Sequence, residues 1–226
     1  MFTRRTIARR PALAALLVAA LVAAVIAAVT WPRAERFFAA RTSEAATATL
    51  ALTLEGLRGE LARAEPLPGL LAERPILVEL LRDPTNEGLL PYTNEQLRQT
   101  AIGLGVSDIY LMDTTGLAIA ASNYRRDDTF IGRRFDYRPY FTEALEAGFG
   151  RFHALGNTSG RRGYFVAAPV LDGTEITGVI AVKITLEDAE ESWAAGPMDV
   201  LVVDQSNVVF LSNRPDWHFR TLGALP

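Results

Sequence analysis

The polarity pattern changes period along the chain. Residues 12–29 form an unbroken apolar run of 18 residues, followed by Thr30 and Trp31. Roughly 20 helical residues, at about 1.5 Å each, cross the hydrocarbon core of a bilayer. A transmembrane helix is therefore predicted over 12–31. Residues 33–63 contain no proline and only two glycines, and Leu50, Leu54, Leu57 and Leu61 recur at steps of four, three and four. That spacing is helical, and the alanine-rich turns over 45–51 agree with it. The prediction is a long stalk helix, ended by Pro66, Pro68 and Gly69. Its leucine seam suits packing on its own domain or pairing with a second copy, and the two are compatible. A second helical stretch over 70–82 stops at Asp83-Pro84, and Thr93-Asn94-Glu95 opens a third that runs to about Gly103.

From Asp108 the period falls to two. Residues 108–113 and 117–122 read as strands around a turn at Gly116, where a positive φ is needed. A helix over 140–147 ends at Gly148, and strands follow over 151–155, 164–168 and 176–184. Asp172-Gly173 supplies the hairpin turn between the last two. Residues 187–194 read as a short exit helix. The pattern then repeats: Asp199, four apolar residues, Asp204, a two-residue step, Asn207 and a strand match 108–122 at a constant offset of 91. Asparagine is the next best residue after glycine for a left-handed turn. A second, similar unit is expected to begin near Asp199 and to be cut off at Pro226, since fewer than thirty residues cannot bury a core. The fold class is α+β. Its segments are 1–11, 12–31 (membrane), 32–105 (stalk and packing helices), 106–195 (a five-stranded domain) and 199–226 (the start of the second unit).

Charge gives the span a direction. Arg4, Arg5, Arg9 and Arg10 precede it with no acid among them, while the remaining 19 basic and 26 acidic residues leave net −7 beyond. This places residues 1–11 in the cytoplasm and the chain from Arg33 outside it. The competing reading is a cleaved signal peptide, whose apolar core is usually about 7–15 residues; this run is longer, although small residues at Ala27 and Ala28 could be cut. The chain has no cysteine, which excludes disulfides, thiolate metal sites and thiol nucleophiles. Two histidines, His153 and His218, are too few for a multi-histidine metal site, and both read as packing or surface residues. No G-x-S-x-G, H-E-x-x-H or P-loop pattern occurs. A formal net charge of −3 argues against bulk nucleic-acid binding.

The chemistry is densest over 135–183. Phe135, Arg138, Tyr140 and Phe141 combine a cation with aromatics, and residues 154–165 pack hydroxyls, an amide, two guanidiniums and glycines together. Such a loop can offer N–H and side-chain donors to an anion, or it can be a solvated turn. Lys183 sharpens the choice. Of 23 basic residues 22 are arginine, and Lys183 is the sole lysine. Along 176–184 the even positions form a strongly apolar face, so Lys183 points to the other face, beside Val179 and Ala181.

These residues also resemble a known family. Phe135-x-x-Arg138-Pro-Tyr140-Phe141, the run from Ala154 through Thr158-Ser159-Gly160-Arg161-Arg162-Gly163 to Phe165, Gly178-Val-x-x-Val-Lys183-Ile184, Trp193 and Phe210-Leu-Ser-x-Arg214-Pro-Asp-Trp217 look like the periplasmic sensor region of four-carbon dicarboxylate transport sensor histidine kinases. The resemblance spans 123–222. It implies a tandem PAS-like (double Cache) region whose membrane-distal unit has a central antiparallel five-stranded sheet, between two transmembrane helices of an inner-membrane protein. It implies a pocket for succinate, fumarate or malate, with Arg138 on one carboxylate and Lys183 on the other. Asn157, Thr158 and Ser159 would add donors, and Tyr164 with Phe135 or Tyr140 would close the walls. The family often has threonine at the position of Asn157 and serine at that of Ala167. No cofactor is expected in this chain; ATP and magnesium would belong to a kinase domain downstream. The implied partners are the diacid, membrane lipid, a second copy in a homodimer and, through that kinase, a response regulator. The alternative is a Cache ectodomain of a chemoreceptor or cyclic-dinucleotide enzyme that recognises another small carboxylate.

Overall fold

The computed structural model describes residues 9–155 and 161–223. The chain divides into two compact units, Met1–Leu52 and Thr53–Pro226. Most of helix α1 (Arg9–Ala64) lies in the first, and it continues through Pro32. The sequence suggests a membrane helix and a separate stalk; the structure joins them. A proline inside a helix costs about 3 kcal/mol, and neighbouring side chains here bond to the turn before it. Thr30 Oγ1 donates to the Ile26 carbonyl at 2.8 Å and Arg33 Nη1 to that of Val29 at 2.9 Å. The apolar run is exposed, and among the described residues α1 is the one helix long and apolar enough to cross a membrane. The leucine seam divides: Leu50 and Leu54 are exposed, while Leu57 and Leu61 pack against the core of the second unit.

In that second unit the expected helix over 70–82 is two helices, α2 (Leu67–Ala72) and α3 (Pro75–Arg82). The residue before a proline is pushed out of the helical region, and Arg74 sits at φ −75°, ψ 119°. Helix α4 (Leu89–Leu104) begins four residues before Thr93. The N-cap position is Gly88, and Asn86 in the turn before it holds the entry to the helix, its Oδ1 accepting from the backbone N–H of Gly88 and Leu89 at 3.1 and 3.0 Å. Thr93 and Asn94 are instead buried within the helix, and Asn94 Oδ1 accepts from the Ala121 N–H at 2.9 Å.

Strands β1 (Asp108–Asp113), β2 (Ala118–Ala121), β3 (Gly150–Leu155), β4 (Arg162–Asp172) and β5 (Glu175–Thr185) form an antiparallel sheet in the order β2-β1-β5-β4-β3. Alternation gives it two faces. Ile109, Leu111, Val166, Val170, Ile180, Val182 and Ile184 face a core shared with Leu57, Leu61 and helices α2–α4. Tyr110, Met112, Phe165, Ala167, Val179 and Ala181 face the other way, under Phe130, Phe135 and helix α5 (Pro139–Ala147). Helix α6 (Glu187–Ala194) follows β5 as expected.

The repeat is a structural one. Strands β6 (Leu201–Val203) and β7 (Val209–Ser212) pair as a two-stranded sheet. Asp113 Oδ1 accepts from the N–H of Thr115 and Leu117, and Asp204 Oδ1 accepts from those of Ser206 and Val208. Gly116 takes φ 79° and Asn207 φ 59°. The register slips at Leu111/Met112 in one hairpin and Val202/Val203 in the other. The match extends to the closing pair: Ser122 Oγ accepts from the Ile109 N–H and Asn213 Oδ1 from that of Val200.

Candidate functional site

The second face of the sheet carries the candidate site. Its residues are small along β5, so a long side chain at Lys183 has room to lie along it. Lys183 pairs with Phe165 on one side and with Asp108 on the other. Its stem runs over Gly163, where a Cβ would stand 3.0 Å from Cε and 3.3 Å from Cγ. The residue is only 1% exposed. Its Nζ lies 3.9 Å from Asp108 Oδ2 and 6.0 Å from the centre of the Phe165 ring. Burial holds the lysine pKa below its ordinary value, against the pull of Asp108.

Arg138 stands at the start of α5, in an extended conformation ahead of Pro139, and is 8% exposed. Its Nη2 donates to the Leu155 carbonyl at 3.4 Å, and its guanidinium lies 5.2 Å from the centre of the Tyr137 ring. Among the described residues no carboxylate pairs with it. Tyr140 lies in the first turn of the same helix; its hydroxyl accepts from Tyr110 at 2.7 Å and its ring stacks on Phe165 at 5.3 Å. Burial pushes both phenols well above their usual range, while the nearby Arg138 charge pulls both down. Phe135 closes the cluster, 5.3 Å from Tyr110 and 5.8 Å from Phe130 between ring centres.

Arg138, Lys183, Phe135 and Tyr140 are therefore gathered on one face. Asn157, Thr158 and Ser159 lie outside the described residues. Tyr164 is a correction. It pairs with Ile184, so adjacent parity sends it to the opposite face, and the wall position belongs to Phe165. The Tyr164 hydroxyl donates to Glu65 Oε1 at 3.0 Å, an oxygen that also accepts from Arg151 at 3.0 Å. Burial, then that bond to Glu65, pushes its pKa up to about 12. With His153 and Phe210 it lines a separate groove. His153 packs edge-on against Phe210 at 5.2 Å. His218 joins a polar cluster: its Nε2 is 2.8 Å from Glu190 Oε1, and Arg162 pairs with the other oxygen of Glu190.

Sequence reasoning missed Asp108. Its side chain is fully buried, accepting from Ser107 Oγ at 2.8 Å and Arg126 Nη1 at 3.1 Å. Asp108 marked only the head of a repeat. The available signal was the register of β1 beside β5, which places an acid level with the lysine. Taken together the face holds two buried cations, one buried acid and two phenols. Cations and hydroxyls of this kind are donors suited to an anion, and among the described residues the face holds no nucleophile–base pair.

A five-stranded antiparallel sheet with helices α2–α4 on one side and helix α5 with two buried cations on the other, followed by a copy of its first hairpin, defines a PAS-like, or Cache, sensor domain. No family model matches the chain. The sensor domain of the Vibrio cholerae histidine kinase DctB superposes with a TM-score of 0.75 at 35% identity, over 80% of this chain and 70% of that one. The C4-dicarboxylate transport sensor protein DctB of Pseudomonas aeruginosa is 39% identical over 192 residues, 84% of this chain, and that of Rhizobium meliloti is 30% identical over 165 residues, 73% of it. The chain spans 31% and 26% of the lengths of those curated relatives. The sensory domain of the Campylobacter jejuni chemoreceptor Tlp3 shares the fold alone, with a TM-score of 0.53 at 20% identity over 73% of this chain and 68% of that one. The chain belongs to the DctB sensor-domain family.

Proposed function

We propose that the chain is the extracytoplasmic sensing part of a two-component histidine kinase, binding succinate, fumarate or malate between Arg138 and Lys183. The observation that carries this reading is a pair of nearly sealed cations on one small-residue face, in a chain of the DctB family. A buried guanidinium is costly unless it is paired, and among the described residues no carboxylate pairs with Arg138; a short diacid supplies one there and lays its other carboxylate against the Lys183 ammonium. Phe135, Tyr140 and Phe165 would form the walls, and Asn157, Thr158 and Ser159 the remaining donors. On this reading the arginine-rich N-terminus is cytoplasmic, α1 anchors the sensor in the inner membrane, and the domain is periplasmic. Leu50 and Leu54 suit a homodimer seam. Autophosphorylation with ATP and magnesium, and transfer to a response regulator controlling dicarboxylate uptake, belong to a kinase domain beyond this sensor region.

Calorimetry on the full chain in detergent micelles tests the site. Truncating one partner of a buried charged pair costs roughly 2–5 kcal/mol, so Lys183→Ala is expected to weaken diacid binding by about 30-fold or more. Lys183→Arg should also bind poorly, because the wider guanidinium has to pass over Gly163 and beside Ala181. A monocarboxylate of equal length engages only one of the two cations and should bind weakly. Equal binding by the parent and Lys183→Ala, or by neither, sinks the assignment.

A further inference from the structure

Asp108 and Lys183 face each other directly across the β1–β5 ladder, and both side chains are sealed from solvent at 0% and 1% exposure. An acid is buried only with partners around it. Asp108 has them on three sides: the Ser107 hydroxyl, the Arg126 guanidinium and the lysine. Arg126 is itself gripped by Asp128, through Nε at 2.7 Å and Nη2 at 2.6 Å. That grip does not depend on Asp108.

We propose that Asp108 is a positioning residue of the dicarboxylate site, holding the Lys183 ammonium charged and fixed on the small-residue face before the ligand arrives. The inference rests on the ligand reading above. A preformed cation spares the ligand the cost of assembling one. It also gives a role to an acid so close to a site for anions: of the charged groups acting on the buried ammonium, Asp108 is the one that most favours its charge.

The groups around the lysine set the direction of the effect. Asp108 faces it from β1 and Phe165 from β4, while the charges of Arg126 and Asp128 on the segment after β2, Arg161 ahead of β4 and Glu187 on α6 act on it electrostatically. Burial is the largest influence on Lys183 and favours the neutral amine. Asp108 is the strongest group opposing it, followed by Glu187, while Arg126 and Arg161 add to the lowering. With Asp108 neutralised, Glu187 remains against burial and two arginines. The amine then loses its proton at a lower pH, and diacid affinity falls as pH rises through that new midpoint.

Lys183 is the only lysine of the chain, so protein grown on lysine isotope-labelled at Cε shows one side-chain signal, whose titration can be followed without ligand. Asp108→Asn is expected to lower the midpoint by about one pH unit or more. Succinate calorimetry from about pH 6 to about pH 9 should then show binding that begins to weaken with rising pH at a lower pH in the variant than in the parent. Should Asp108→Asn fail to fold, Arg126→Gln on a half-exposed side chain provides the opposite sign, because it removes a like charge and raises the midpoint. Succinate binding by the parent with an unmoved lysine midpoint in Asp108→Asn, or a lowered midpoint in Arg126→Gln, overturns the role of Asp108 alone. Failure of the parent to bind any diacid overturns the ligand reading, whatever the lysine does.

Discussion

Two hairpins of this chain share a turn, a bulge and a closing pair at a constant offset of 91, yet their leading acids have opposite fates. Asp108 heads β1 with its side chain fully buried, level with Lys183. Asp199, just before β6, is 43% exposed and pairs at 2.6 Å with Arg214. The hairpin itself is written locally: an aspartate whose carboxylate collects two backbone N–H groups, then a residue that accepts positive φ. What makes one copy part of the proposed site is its neighbouring strand. Strand β5 lies against β1 and brings the lysine, whereas the sheet of β6 holds only β7 among the described residues.

The largest expected break between the copies is at the turn. Gly116 and Asn207 are both left-handed, but a Cβ on Gly116 would stand 2.5 Å from the Asp136 backbone nitrogen. The left-handed region costs a residue with a Cβ about 1–2 kcal/mol, and overpacking typically about 1–3 kcal/mol more. Gly116→Ala should therefore destabilise by about 2–5 kcal/mol. Asn207→Gly should shift stability by less than about 0.5 kcal/mol. Urea unfolding measures both. If Gly116→Ala costs no more than Asn207→Ala, the segment around Asp136 yields, and the copies are equivalent at the turn.

Smaller effects are expected at the aspartates inside the turns. Asp113→Ala removes the acceptor for Thr115 Oγ1 and two backbone N–H groups, and Asp204→Ala that for two backbone N–H groups. Such a loss is worth about 0.5–2 kcal/mol. It should be felt globally in the first hairpin, which is one edge of a sheet, and only locally in the second, since a two-stranded sheet is marginal by itself. Hydrogen exchange reads the difference. Asp113→Ala should speed exchange through β1 and β5, and Asp204→Ala only through 200–212. Faster exchange in β5 on Asp204→Ala would show that the hairpins open together.

This contrast also marks what the sequence makes legible. Turns, strand alternation and the repeat rest on contacts within a few residues, so Gly116, Asn207 and the side of β5 that bears Lys183 are readable from the letters. Which strands become neighbours is a property of the whole sheet. Tyr164 was misplaced for that reason: only the pairing of Phe165 with Lys183 reveals that Tyr164 faces away. Asp108 was overlooked for the same reason. Asn94, a good capping residue by type, serves a strand 27 positions away rather than a helix start.

The smallest effect expected is at Asp199, and it tests whether the acid matters by its letter or by its surroundings. Its partner Arg214 is 56% exposed, so water screens both charges. Exposed pairs of this kind contribute roughly 0.2–1 kcal/mol. Asp199→Asn should thus cost on the order of 0.5 kcal/mol, and the loss should shrink further at high salt as the Debye length falls. It should leave the Lys183 titration and succinate binding where they are in the parent. The same substitution at the matching position of the first hairpin is expected to move both. Were Asp199→Asn to shift the lysine midpoint as far as Asp108→Asn does, the effect would come from a general change in charge or folding, and the neighbourhood of β5 would no longer account for the difference between the two copies.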